Sequence, residues 1–334
     1  MDLETIYSVL ASWGFSAFTQ VENAWSVGQL FPGKDRCGLY ILGFADGEFY
    51  VGESSDIPKR FSQHRKKYDD IVYFSYVLEA QERRRPLEEE IIHTLEAQGF
   101  VLRNIEHSSI PQGASDLDLV VEPARRKAWI AGQGLQQEKC ERPVNQSLYS
   151  SYKDIYRRFM GFPVAADTLH FLRYYLDATV LDWRKTEMSF WGGSCLSPAG
   201  YKSIKYKLPT IARVNIYRQE VLTVAQDMVF NGDNIPLAIS FHAASSPIDA
   251  LPKELGDQVA GHSGVKLWGH KYKSGGHDQT AFIAAGFEAA LGLLEDDQIR
   301  KGLRVLNTRL MMKGPCLWKG NHCLPLVEGV ADVS

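Results

Sequence analysis

The chain has 334 residues, 45% hydrophobic and 23% charged, with 37 Lys and Arg against 40 Asp and Glu, a formal net charge of −3. That balance fits a globular protein of about two domains with a real core, and excludes a disordered or fibrous chain. Taken whole, the acidic excess argues against a partner built of phosphates.

The longest charge-free run, Thr5 to Val21, spans 17 residues and includes Ser8, Ser12, Ser16, Thr19 and Gln20. A spanning helix needs about 20 mostly apolar residues, so no membrane partner is expected. Asp2 and Glu4 stand where a signal peptide would carry basic residues. Five scattered cysteines, Cys37, Cys140, Cys195, Cys316 and Cys323, fit the reduced thiols of a cytoplasmic protein better than a disulfide framework.

In chain order, Leu3, Ile6, Tyr7 and Leu10 recur at helical spacing and predict a short amphipathic helix over residues 2–13. A looser stretch runs to Phe31-Pro32-Gly33. Leu39 to Phe44 reads as a strand, Asp46-Gly47 as a hairpin turn and Phe49 to Val51 as the return strand. Asp56 is placed to cap a helix carrying Lys59, Arg60 and His64. Ile71 to Leu78 is a third strand, rich in β-branched and aromatic residues. Leu87 to Gln98 is a second helix, entered after Pro86 and closed by Gly99. Ser108 to Asp118 reads as loop and Ala124 to Ala131 as helix. The Gly/Gln-rich stretch from Gly132 reads as a linker. Residues 278–294, capped by Asp278, read as the clearest later helix. The division is residues 1–36 as a helical extension, 37–131 as the first domain, 132–148 as linker and 149–334 as the second domain.

Between Gly38 and Asn104 several motifs fall in order: Gly38-Leu39-Tyr40, Tyr50-Val51-Gly52, the helix Asp56 to His64 with Arg60, the acidic run Leu87-Glu88-Glu89-Glu90-Ile91-Ile92, and Arg103-Asn104. This run resembles the GIY-YIG nuclease domain. The resemblance covers about a fifth of the chain and rests on five elements at the expected spacings. It implies an α/β (α+β) fold: a small three-stranded antiparallel sheet flanked by helices, followed here by a second mixed α+β domain. It also implies a Mg²⁺- or Mn²⁺-dependent hydrolysis of DNA phosphodiester bonds. Its site would comprise Tyr40, Tyr50, Arg60, His64, Glu88 and Asn104. Glu88 would hold the metal, with Glu89 in reserve, and Asn104 would brace the site.

The residue chemistry supports those roles independently. Neighbouring strands let the hydroxyls of Tyr40 and Tyr50 converge, and Arg60 and His64, four apart, share a helix face. Glu88 offers the hard oxygen that Mg²⁺ prefers. Arg60 would neutralise the crowded phosphate, and Tyr40, Tyr50 or His64 would orient and deprotonate water.

Residues 149–334 resemble no family. From Lys153 to Arg218 there are 11 cations against five anions, interleaved with Tyr152, Tyr156, Phe159, Phe171, Tyr174, Tyr175, Trp183, Phe190, Trp191, Tyr201 and Tyr206. Cations grip phosphates and exposed rings stack on bases, so this half is expected to contact DNA. Lys59, Arg65, Lys66 and Lys67 in the first domain, and Lys202, Lys205 and Lys207 in the second, are the expected nucleic-acid contacts. His262, His270 and His277 lie in a Gly/Lys-rich stretch read as a loop before a helix. Cys316, His322 and Cys323 lack a fourth local ligand for zinc.

The whole reads as a restriction or antiviral-defence endonuclease with a C-terminal specificity domain. A repair or homing nuclease and a non-cleaving sensor of nucleic acid or of a partner are the alternatives. One centre cuts one strand, so a double-strand break implies a homo-oligomer on DNA or sequential nicks. The charge is divided: residues 1–148 carry 16 Lys and Arg against 22 Asp and Glu, residues 149–334 carry 21 against 18. The net total therefore does not exclude a nucleic-acid partner.

Overall fold

Two sheets, each flanked by helices, give the chain a mixed α+β architecture. The computed structural model describes residues 3–104, 115–143, 145–196, 210–248, 259 and 261–333. The chain divides into Met1–Gly113 and Ala114–Ser334.

The first unit runs through helix α1 (Leu3–Ala11), strands β1 (Thr19–Gln20), β2 (Gly38–Phe44) and β3 (Phe49–Ser54), helix α2 (Ile57–Lys67), strand β4 (Ile71–Leu78) and helix α3 (Gln81–Ala97). Its antiparallel sheet has the order β1-β4-β2-β3. Every residue of the inner strand β2 is buried. Successive side chains of a strand face opposite ways. Leu39 and Ile41 accordingly join Ile6, Leu10, Ile91, Ile92 and Leu95 of α1 and α3. Tyr40, Leu42 and Phe44 join Ile57 and Phe61 of α2. The sheet has one strand more than the three predicted. Thr19 and Gln20 pair with Phe74 and Tyr73, too short a stretch to show alternation in sequence.

Asp56 caps α2 as predicted, accepting from the Lys59 amide at 3.1 Å. Helix α3 begins at Gln81, not Leu87, and contains Pro86. Its leading turn is anchored by an ion pair between buried Arg84 and Glu53 of β3, 2.8 Å long. Pro86 falls in the second turn, and this long-range tether holds the turn ahead of it.

The second unit contains α4 (Pro123–Ile130), α5 (Gln146–Phe159), α6 (Ala165–Thr179) and α7 (Trp183–Thr186). Strands β5 (Trp191–Cys195), β6 (Thr210–Ile216), β7 (Gln219–Phe230), β8 (Asp233–Ala243), β9 (Val265–Trp268) and β10 (Thr280–Ala285) follow. Helices α8 (Gly286–Glu295), α9 (Asp297–Met312) and α10 (Leu324–Asp332) complete it. The strands form one antiparallel sheet of order β5-β6-β7-β8-β10-β9. Ile239, Phe241, Phe282 and Ala284 pack with Leu172, Leu303 and Leu306 of the helices.

The helix predicted over residues 278–294 is half strand. Ala281 to Ala284 are buried between β8 and β9, and an inner strand apolar on both faces shows no alternation to separate it from a buried helix. Asp278 precedes strand β10 and does not start a helix. It pairs with Arg309 and accepts from the Ser246 amide at 2.7 Å. The histidine-containing stretch before it forms β9 and leads into β10, not into a helix.

The boundary also moves. Leu117, Val121 and Trp129 belong to the core of the second unit. The stretch read as linker is strapped to the same unit. The Gln137 amide donates to the carbonyls of Asp177 (2.9 Å) and Val180 (3.0 Å), and Arg142 pairs with Glu187 at 2.8 Å.

Glu187 is fully buried and also meets His322 Nε2 at 2.9 Å. Burial works to raise its carboxyl, but the bonds from His322 and Arg142 prevail and hold it below the usual carboxylate range. A carboxylate depressed on folding contributes stability that is complete above its unfolded value and disappears as pH falls through the folded one. Stability measured by denaturant unfolding is therefore expected to decline below about pH 4.5, with a shallower decline in Glu187→Gln. An unchanged acid slope in that variant would count against this pair.

Candidate active site

The hairpin sets the site's geometry. In the β2–β3 register Tyr40 lies opposite Gly52, and Leu42 opposite Tyr50. Residues two apart share a face, so both tyrosines point toward α2. Their rings stack at 6.3 Å between centroids. Gly52 is required there, because a Cβ would collide with the ring and hydroxyl of Tyr40. Gly38 meets a similar limit, since a Cβ would strike the Val77 carbonyl across β4.

Helix α2 brings the next two groups. His64 is buried, its ring 4.8 Å from that of Tyr50, and its Nε2 lies 2.8 Å from Tyr40 Oη. Arg60, exposed one turn earlier, interacts with both tyrosine hydroxyls and donates to Gln63 Oε1 of its own helix at 2.9 Å. Burial pushes the Tyr40 hydroxyl far above its ordinary value; Tyr50 and Glu88 add to this and Arg60 opposes it. Tyr50 is raised by burial and Glu88, again against Arg60. Tyr40 thus keeps its proton at neutral pH, and its hydroxyl shares one hydrogen bond with His64 Nε2, whose direction is set by the histidine tautomer.

Glu88 lies half-buried on α3. Its charge acts on both tyrosines, whereas Glu90 is exposed. Asn104 is buried and closes the edge of the sheet. Its Oδ1 accepts from the Val51 amide at 2.9 Å and its Nδ2 donates to the Val51 carbonyl at 2.7 Å. The amide copies a strand partner for the edge strand, next to Tyr50.

Arg103, quoted in sequence only as the neighbour of Asn104, ties the site's frame. It bonds Asp46 and Glu48 at 2.6 Å each and Asp70 at 2.7 Å, and lies 3.6 Å from the Phe44 ring centre. These carboxylates are scattered in sequence, so no local pattern marks them as one cluster.

The cationic cluster is not uniform. Lys59 and Lys66 are exposed. Arg65 is a correction: it is 7% exposed and donates to the carbonyls of Ala24 (3.0 Å), Val21 (2.8 Å), Asp69 (3.1 Å) and Ile71 (3.0 Å). Its guanidinium is consumed by the loop before β2 and by the turn into β4, and cannot reach a phosphate. Arg65→Ala would strand those carbonyls. It is expected to cost about 3 kcal/mol, the range for hydrogen bonds to a charged group, in the unfolding free energy measured with denaturant. A loss below about 1 kcal/mol would contradict this role.

Lys202, Lys205 and Lys207 lie outside the described residues, as do Tyr201, Tyr206 and the side chain of Lys67. The aromatic set read as base-stacking is mostly core: Phe159, Phe171, Tyr175, Trp183, Phe190 and Trp191 are buried. Among the described residues no group of three or more His, Cys, Asp or Glu side chains is gathered for a metal. No helix of the described residues is long and apolar enough to cross a membrane. Compared with protein-family models, curated proteins and solved structures, the chain finds no match.

Proposed function

We propose that the first unit is a divalent-metal-dependent endonuclease centre of the GIY-YIG kind, hydrolysing DNA phosphodiester bonds. The observation that carries this reading is the convergence of Tyr40, Tyr50, His64, Arg60 and Glu88, drawn from two strands and two helices, with the 2.8 Å Tyr40–His64 contact at its heart.

A lone carboxylate fits the implied Mg²⁺ or Mn²⁺. Mg²⁺ keeps several waters and is held by one or two carboxylates together with substrate phosphate, which is the donor set Glu88 begins. Such a cation supplies charge relief at the phosphate and its leaving oxygen. The chain's own groups do the rest. Arg60, exposed above the tyrosines, neutralises the phosphoryl oxygens as charge builds. The attacking water gives a proton to Tyr40 Oη while the Tyr40 proton passes to His64 Nε2. The tyrosine ends unchanged and His64 carries the proton. Asn104 holds the strand that carries Tyr50.

The test is incubation of purified protein with supercoiled plasmid DNA and with RNA of matched length, in Mg²⁺. Nicked or linear DNA is the expected product. Cutting of RNA alone would overturn the DNA assignment.

A further inference from the structure

Of the seven tryptophans, Trp25 alone is exposed, at 70%. It stands in the loop between β1 and β2, and that loop is held firmly. Asn23 turns the chain there in the left-handed region, φ +62°, which asparagine adopts more readily than most residues. Arg65 binds the carbonyls of Val21 and Ala24, and Ser62 Oγ donates to the Trp25 carbonyl itself at 3.0 Å. Val21, Val27 and Phe31 on either side are buried. The fold therefore fixes the backbone around an indole that it leaves bare.

Helix α2 supplies the charge. Ser62, which grips Trp25, lies on the helix stripe that also carries Lys59 and Lys66, three before and four after it. Those lysines are about 10 Å apart along the axis. Helix α2 holds no Asp or Glu, and no ion pair is found for Lys59 or Lys66 among the described residues. Arg60, of the proposed centre, is on the same helix. A bare, rigid aromatic flanked by cations is the pattern that holds an unstacked base between phosphates.

We infer that Trp25 stacks on a base of the DNA strand beside the cleaved bond, while Lys59 and Lys66 hold its flanking phosphates. This rests on the nuclease reading of the same unit, so binding is measured apart from cleavage: full-length Glu88→Gln, no divalent cation, and a fluorescently labelled duplex oligonucleotide. Trp25→Ala raises Kd about ten-fold, within the range for lost base–aromatic stacking, and Trp25→Phe recovers most of that loss. Lys59→Gln and Lys66→Gln each lower the slope of log Kd against log salt by about one, while Trp25→Ala leaves it unchanged. Indole fluorescence is quenched by DNA in the parent and less so in Trp25→Ala. Equal thermal unfolding of parent and Trp25→Phe shows that the loop survives.

Unchanged affinity in Trp25→Ala, or a Phe variant no better than Ala, overturns the inference. So does a Trp25→Ala protein that binds DNA normally but loses self-association in sedimentation. If the wild-type protein cuts nothing while the Trp25 effect on binding persists, the catalytic reading fails and the stacking contact stands.

Discussion

Glu88→Gln is expected to lower the rate of DNA cleavage at least about a thousand-fold, which corresponds to roughly 4 kcal/mol of transition-state stabilisation. Glutamine keeps the shape and hydrogen-bonding reach of the side chain but removes the charge that a divalent cation requires. The fold should not suffer, because the residues of α3 that pack the core are Ile91, Ile92 and Leu95. The same substitution removes a charge that raises both tyrosines. Glu89→Gln is the control: if it abolished cleavage while Glu88→Gln retained activity, the acidic ligand would be one residue along the helix. Initial rates on plasmid DNA, with circular dichroism of each variant, decide between them.

The second large effect concerns the proton. Tyr40→Phe keeps the buried ring against Gly52 and Tyr50 and deletes only the hydroxyl 2.8 Å from His64. Cleavage is expected to fall about 10²–10⁴-fold, the usual weight of a positioned acid–base group. His64→Ala should fall comparably. If the pair works as one relay, the double variant is no slower than the worse single one, since groups acting as a unit are not additive. Fully multiplicative losses would mean that tyrosine and histidine serve separate steps. Single-turnover rates keep binding out of the comparison.

The parts of this site that lie in short motifs were legible before any fold was known. Strand β4 has the predicted bounds, Ile71–Leu78, because six of its eight residues are β-branched or aromatic. Asp56 caps α2 because capping is a contact over three residues. The convergence of Tyr40 and Tyr50 follows from the two-residue period of a tight hairpin. What escaped was decided by partners far along the chain. Arg65 reads as surface charge in a basic helix, yet its four carbonyl acceptors include Val21, 44 residues away. The early start of α3 depends on Glu53, and the fate of the supposed linker on Arg142 meeting Glu187, 45 residues on. The helix Ala124 to Ala131 reads as the end of the first domain, but the burial of Leu117, Val121 and Trp129 in the other core assigns residues 115–131 to the second unit. The strand β10 was missed because an apolar run buried on both faces has no period to read.

The most direct measurement is the conversion of supercoiled plasmid by the full chain in Mg²⁺, with and without excess chelator, beside Glu88→Gln. Cleavage by the wild-type protein that stops with chelator and is lost in Glu88→Gln is the predicted result. Cleavage that persists equally in chelator and in the variant, or no cleavage of DNA by the wild-type protein under any of these conditions, would contradict a metal-dependent nuclease centre at Tyr40, Tyr50, Arg60, His64 and Glu88.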